Sequence, residues 1–471
     1  MGFASHRWCR GIVRTGLGLR EAQLKLVFPA AAQHGIGRTL PGRRACMRVQ
    51  DEWLWTYLPR QDSHACRVPE RGRDAQLTHI HGADMNSFPE PDHIQMLRET
   101  LLRFIEKEMP LELVRKWDRE NYFPRDVHEK LAALGLMGLT VAEEYGGGGR
   151  DIRATMVAIE LLCGRSMAVG GPYIQSACYA GLNIAEVGSD RQKRELLPRV
   201  VSDGMIFAYG ISEPDVGADV AAVRTTAKIV GERLLINGAK RFCSGATIAD
   251  YIYTLARTGP AEERHRNLTL VLVPTRAEGI TFEAQDALGL KGTGTYDVTF
   301  DDVSVPLENI VGEEAGWNKA WPMLAGPGLD IEKMEVAAMA LGIAAAAVDE
   351  AWAYAQERRQ FGKPISAFQS VRHMLADVRT KLHACRVVTY QAASALDSEG
   401  KAPVETSMAK LFVCQTAQEI VLTCQQILGA YGYIKEFDME RHVRDILIMP
   451  ILGGSSAIQK NNICNMLRLE K

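Results

Sequence analysis

The hydrophobic period of this chain changes twice, and the order of those changes restricts its fold more than any other feature. Between His93 and Lys107 the apolar residues Ile94, Met96, Leu97, Leu101, Leu102, Phe104 and Ile105 recur at helical spacing, and further helical stretches follow at 126–138, 154–165 and 190–203. From Phe207 the period becomes two: "LLING" (234–238), "NLTLVLVP" (267–274), "ITFEA" (280–284) and "YDVTFDDVSVP" (296–306) read as strands between Gly, Pro and charged turns. After Trp317 helices return: an Ala-rich one at 332–357, another at 366–398, and a third that opens on Pro403 and stops before Gly429. Three long segments with short links make a bundle. The order α, β, α without βαβ alternation argues against a Rossmann-type fold. The expectation is a mostly α chain with a central β-domain: helices over 85–205, the β-domain over 206–312, and a helical bundle over 313–471.

A chain of 471 residues is too long for one ordinary core, which agrees with that division. Hydrophobic residues make up 46% and charged residues 24%, a globular composition, and the net charge of −2 supplies no global pull toward nucleic acid or an anionic membrane. No partner of either kind is expected. The ten cysteines are scattered, with no CxxC pair and no HExxH, so neither a metal site nor a disulfide framework is indicated and a reducing compartment fits best. No run of about 18 uninterrupted apolar residues is present, and membrane insertion is not expected. The run "EEYGGGGRD" (143–151) lacks a preceding strand and a GK[ST] ending, so it reads as a loop joining helices rather than a phosphate cradle.

Residues 1–84 differ in kind. From Met1 to Met47 eight Lys or Arg face a single acid, Glu21, the bias of a mitochondrial targeting segment. The competing reading is an upstream start that is not used, because Met85 opens a normal domain start, "MNSFPEPDHIQ". Either way the segment is set aside from the fold as disordered. The location is then the mitochondrial matrix if residues 1–47 target the chain, and otherwise a bacterial cytoplasm.

Five motifs occur in order at the ends of these elements: "AYGISEPDVGADV" (208–220), "NGAKRFCSGA" (237–246), "ERRQFGKPISAFQ" (357–369), "QQILGAYGY" (425–433) and "RDILIMPILGGSSAIQ" (444–459). Together they resemble the acyl-CoA dehydrogenase family over about residues 90–468. The resemblance implies an N-terminal helical domain, a middle β-barrel domain and a C-terminal four-helix bundle, with FAD held between the last two and a second subunit completing the site. It implies that Tyr209, Ile211 and Ser212 line the flavin edge, that Phe242 stands in for the usual Trp against the ring, and that Ser244 stands in for the Thr near flavin N5. An aromatic face and a hydroxyl donor are what a planar redox ring needs. Arg358, Phe361 and Gln369 match the segment that crosses a subunit boundary to the FAD pyrophosphate and adenosine, where a guanidinium suits a diphosphate. Gln426 and Gly429 match a "QxxGG" stretch whose second glycine is Ala430 here, and Gly454 and Ser455 complete the implied cofactor set.

The base poses the sharper question. In many family members a Glu occupies the loop matching 451–456, but the aligned position here is Gly453. Members resembling isovaleryl-CoA or long-chain dehydrogenases carry it instead at the start of the first bundle helix, which "GLDIEK" matches, so Glu332 is the implied base. A base that removes a proton alpha to a thioester needs its pKa raised toward neutrality, as desolvation would do. A main-chain N–H at Gly453 would survive to face the developing enolate. Asp330 would help seat the pantetheine arm, while Lys333 replaces a frequent Arg and Ala218 a frequent Ser beside the CoA. Without the resemblance, Glu332 reads as a first-turn carboxylate at the positive end of a helix dipole.

The implied activity is FAD-dependent dehydrogenation of an acyl-CoA to a trans-2-enoyl-CoA: Glu332 takes the α-proton, the β-hydride goes to flavin N5, and electrons leave to an electron-transferring flavoprotein. A homotetramer is implied, although a dimer suffices to complete the FAD site. An enoyl-CoA reductase or an acyl-CoA oxidase on the same scaffold stays open, as does a catalytically silent paralogue serving as a binding or assembly subunit. A base on the bundle helix favours a short or branched acyl group.

Overall fold

The computed structural model describes residues 45–49, 52–56 and 90–470, in two units, Met1–Leu77 and Thr78–Lys471. In the first unit an antiparallel hairpin pairs β1 (Ala45–Val49) with β2 (Glu52–Thr56), two strands that no period in the sequence announced. Most of the segment read as a targeting extension lies outside the described residues.

The second unit begins with helices α1 (Asp92–Glu108), α2 (Leu111–Glu120), α3 (Arg125–Ala133), α4 (Ile152–Arg165) and α5 (Met167–Ile174). On α1 the buried face is Ile94, Leu101 and Ile105, the positions that helical spacing places together. The four-glycine run between α3 and α4 is a loop, as expected. After α5 the backbone continues as a π-helical segment, Gln175–Leu182, then α6 (Asn183–Val187) and α7 (Asp190–Asp203). Local sequence accounts for α7: Ser189 and Gln192 form a reciprocal capping box, and Gly204 ends the helix in the left-handed region.

The middle of the chain is one curled sheet of β3 (Phe207–Gly210), β4 (Thr226–Val230), β5 (Arg233–Ser244), β6 (Tyr251–Arg257), β7 (Leu268–Pro274), β8 (Ile280–Gln285) and β9 (Thr295–Pro306). The order is β3-β6-β4-β5-β9-β8, with β7 on β6; β6 runs parallel to β3 and β4, and the other pairs are antiparallel. An apolar cluster that includes Ile236, Val271, Val298 and Phe300 fills the sheet. The register of β5 against β9 slips between Lys240 and Cys243, a bulge that sets Phe242 at φ 61° and leaves the residue 62% exposed.

Helix α8 (Ala320–Met323) and a kinked turn, Leu324–Gly328, lead into α9 (Leu329–Glu357), followed by α10 (Gln369–Glu399), α11 (Pro403–Leu428), α12 (Met439–Ile446) and α13 (Ser456–Met466), with a small hairpin of β10 (Arg359–Gln360) and β11 (Lys363–Pro364) before α10. Pro403 starts α11 and Gly429 follows its end, as the sequence indicated. Helix α9 is the axis of the unit. It is long and apolar enough to cross a membrane by length and composition, but most of it is buried among α4, α10, α11 and α12. Small residues allow that packing: a β-carbon on Gly342 would lie 2.1 Å from the Glu160 carbonyl of α4. The main core therefore runs without a break from the N-terminal helices into the bundle.

Candidate active site

Three parts of the chain meet at one small cavity. Asn183, Glu186 and Val187 come from α6, Tyr209 and Tyr253 from β3 and β6, and Met323, Leu324, Gly328, Leu329 and Glu332 from the turn before α9 and its first turn. Tyr209 is sandwiched: it stacks on Tyr179 of the π-helical segment (ring centroids 3.7 Å apart, 9° between planes) and on Tyr253 (5.5 Å), and Asn183 donates to its hydroxyl. Helix, sheet and bundle are thereby clamped around Glu332.

Burial raises the Glu332 carboxyl to about 6, against the partial pull of Lys410 and Lys333. Neither lysine is free to pair with it. Lys333 donates to Asp330 (3.0 Å) and Lys410 to the Gly454 carbonyl (2.8 Å). A carboxylate in a partly covered cavity, without a cation bonded to it, has the chemistry to accept a proton rather than to serve as half of an ion pair.

Gly453 lies beside the start of α9. Its φ is 63°, and a β-carbon there would lie 3.6 Å from Glu332 Cγ and 2.8 Å from Val336 Cγ2. The glycine in the loop and the acid on the helix are neighbours, and Val336 leaves no room for a side chain at 453. Gln459 donates to the carbonyls of Gly453 (3.2 Å) and Gly454 (2.9 Å), and Ser455 caps α13 by accepting from the Ile458 N–H (3.4 Å).

A second group of expected residues lies along the sheet. The Arg241 N–H donates to the Ser212 carbonyl (2.9 Å), fastening the Ile211–Ser212 loop to the bulge that displays Phe242. Beneath it a buried ion pair, Lys240 to Glu213 (2.8 Å), is completed by Glu213 accepting from the N–H groups of Arg224 (2.6 Å) and Thr225 (2.9 Å). Ser244 has its hydroxyl 3.4 Å from that of Thr295, and its carbonyl accepts from Gln175 (2.7 Å), whose own Oε1 is buried without a partner.

A third group is remote. Arg358 caps α9 and stands over Tyr431 (5.4 Å), Phe361 is 93% exposed, Gln369 at the start of α10 is exposed, and so are Gln426 and Gly429 at the end of α11. Twenty-six positions of α9 separate Glu332 from Arg358, about 39 Å at the rise of an α-helix. The structure does not bring these residues to Glu332. Nor does it bring Asp330 and Lys333 to the cavity: both are buried in the bundle, where Asp330 accepts from Lys333, from Thr406 (3.1 Å) and from the Ala402 N–H (3.2 Å). That network engages the Asp330 carboxylate and the Lys333 ammonium within the bundle, away from the residues that line the cavity. Ala218 is exposed on the loop after the Glu213–Val216 bridge.

Sequence reasoning missed Tyr179, Asn183, Tyr253 and Glu335. Only Glu335 left a signal, its i, i+3 spacing from Glu332.

Models of the acyl-CoA dehydrogenase N-terminal, middle and C-terminal domains match residues 91–204, 208–303 and 321–467 in succession. The chain belongs to the acyl-CoA dehydrogenase family. Members of this family are flavoproteins that act on acyl-CoA. This acyl-CoA dehydrogenase family chain is 36% identical to a 3-(aryl)acrylate reductase of Clostridium sporogenes, over 79% of its own length and 98% of the relative. It is 33% identical to the CarC subunit of the caffeyl-CoA reductase–Etf complex of Acetobacterium woodii (79% and 97%). Among solved structures it is similar to a glutaryl-coenzyme A dehydrogenase in complex with glutaryl-CoA (31% identity, TM-score 0.76, 82% of this chain and 97% of that one).

Proposed function

We propose that this chain is an FAD-dependent acyl-CoA dehydrogenase in which Glu332 removes the α-proton of an acyl-CoA thioester to give a trans-2-enoyl-CoA. The observation that carries this reading is the position of Glu332: a carboxyl raised to about 6, open to a cavity at the junction of helices, sheet and bundle, with Gly453 packed against it. A base half-ionised near neutrality combines sufficient carboxylate with sufficient basicity.

The residues present fit FAD. The displayed ring of Phe242, the hydroxyls of Ser212 and Ser244, and the unpartnered Oε1 of Gln175 beside Ser244 form the kind of aromatic and polar wall an isoalloxazine requires. When bound, FAD supplies the two-electron acceptor for the β-hydrogen. Ser212 and Ser244 would hold its edge and Phe242 would cover a face. Arg358, Phe361 and Gln369, too far along α9 to reach the same cofactor, would serve the FAD of a second copy. Among the described residues the Gly453 N–H donates to no group, and we assign it to the thioester oxygen, where it would stabilise charge as Glu332 takes the proton. An electron-transferring flavoprotein is the proposed acceptor, a role supported by the Etf complex of a relative.

A second reading, enoyl-CoA reduction, is favoured by the names of two relatives, both reductases. Glu332 would then deliver the α-proton rather than remove it, since the step is reversible at the same carboxyl. The test is the visible spectrum of the purified protein, followed by anaerobic addition of a saturated acyl-CoA panel, with Glu332→Gln in parallel. Bleaching by one acyl class, slowed by roughly two to four orders of magnitude in the variant, is expected. A reduced flavin reoxidised by enoyl-CoA but never bleached by acyl-CoA would favour the reductase. A colourless protein would overturn the cofactor, and full activity in the variant would overturn the base.

A further inference from the structure

Glu335 lies one turn beyond Glu332 on α9 and is 3% exposed. The i, i+3 spacing puts both carboxyls on one face of the helix, and that face meets the π-helical segment Gln175–Leu182. A π turn inserted into helical structure often marks a functional site. Here it brings Cys178 beside Glu335 and sets Tyr179 against Tyr209, and both tyrosines interact with both acids. From α11, Lys410 acts on Glu332 and on Cys414, and its ammonium is bonded to the Gly454 carbonyl. Lys333 is bonded to Asp330. No lysine or arginine reaches Glu335 among the described residues.

Two carboxyls that share a low-dielectric space without a cation between them cannot both be charged at moderate cost. We propose that Glu335 is a positioning residue for Glu332, a carboxyl that keeps its proton under working conditions and so confines the pair's single negative charge to the member that opens into the cavity. The proposal rests on the reading of Glu332 as the base. Burial, with Glu332 beside it, pushes Glu335 to about 8, above the value of about 6 for Glu332. The pair therefore titrates in two steps. Between them Glu332 is the carboxylate and Glu335 the acid, burial and the neighbouring Glu332 outweighing the downward pull of the Cys178 thiol. When Glu332 takes the substrate's α-proton both members are neutral, and that proton leaves to water through the cavity, because Glu335 is already occupied.

Two measurements test this on the full chain. In infrared difference spectra of the purified protein between about pH 5 and about pH 9, without substrate, a protonated carboxyl signal should disappear with a midpoint near 8 and be missing from Glu335→Gln. Glu350 is also raised, to about 7, so the variant makes the assignment. In the pH dependence of flavin reduction by the responding acyl-CoA, the native protein should show inflections near 6 and near 8, and Glu335→Gln only the first. The absence of any such carboxyl signal in the native protein, which needs no variant to fold, overturns the proposal. So do rate profiles of native protein and variant that superimpose, since a merely structural Glu335 would not move them. If Glu332→Gln keeps full activity, the base assignment falls and the positioning role with it, whereas a missing infrared signal sinks the role of Glu335 alone.

Discussion

Gly453 is the position where a single carbon has two separable effects. A β-carbon there would press on Val336 at 2.8 Å and occupy a backbone with φ of 63°, so Gly453→Ala should destabilise the protein by about 1–2 kcal/mol. Because the same carbon would lie 3.6 Å from Glu332 Cγ, the variant should also lose kcat more than it raises KM. Urea unfolding read beside steady-state kinetics checks both, and unchanged kcat would show that the loop does not bear on Glu332. The proposed exchange of roles between 332 and 453 comes from the residue types through a resemblance. That the two positions are neighbours was not legible there, because they are separated by 121 positions and meet only when the loop before α13, a helix packed on α11, returns to the start of α9.

Two ties between elements carry expectations of their own. Asp330 joins the start of α9 to the start of α11 through Lys333, Thr406 and the Ala402 N–H, all buried. Asp330→Ala would leave Lys333 as a buried ammonium without its partner and should cost about 3–5 kcal/mol, measured by chemical denaturation. A loss under about 1 kcal/mol would mean that water reaches Lys333. His128 ties α3 to the end of α7 by donating to the Gly204 carbonyl (2.8 Å), beside Ser176. Burial lowers its pKa to about 4, so the fold holds it neutral. Unfolded, it takes a proton below about pH 6.5. Its contribution is thus fully present above about 6.5 and is lost as pH falls toward 4, by about 3 kcal/mol in all. His128→Gln, which also stays neutral, should flatten the stability curve between about pH 7 and about pH 5, and an unchanged slope would assign the acid lability elsewhere, His442 (lowered to about 3) first.

The distance between the two ends of α9 bears on the assembled protein. Glu332 at one end and Arg358 at the other are about 39 Å apart, too far to serve one cofactor within a chain. Phe361 is 93% exposed beyond Arg358, and Met408 and Phe412 on α11 are also exposed. Phe361→Asp should therefore yield a folded protein that sediments as a smaller species and retains less than about a tenth of its flavin, a loss of at least about 1.4 kcal/mol in binding. Flavin-to-protein absorbance with sedimentation checks this, and full flavin content in the variant would place the whole cofactor site within one chain. Sequence patterns alone established the α, β, α order, the ends of α7 and α11 and the strands β7 to β9, because period and caps are local properties. Folding in space settled what depends on contact between distant segments: the raised carboxyl of Glu332, the burial of Asp330 and Lys333 in the bundle, and the tyrosine stack. It also settled the burial of Glu335 beside Glu332. A π-helical winding has no period that can be read in one dimension, and a carboxyl's basicity is set by the neighbours that exclude water from it.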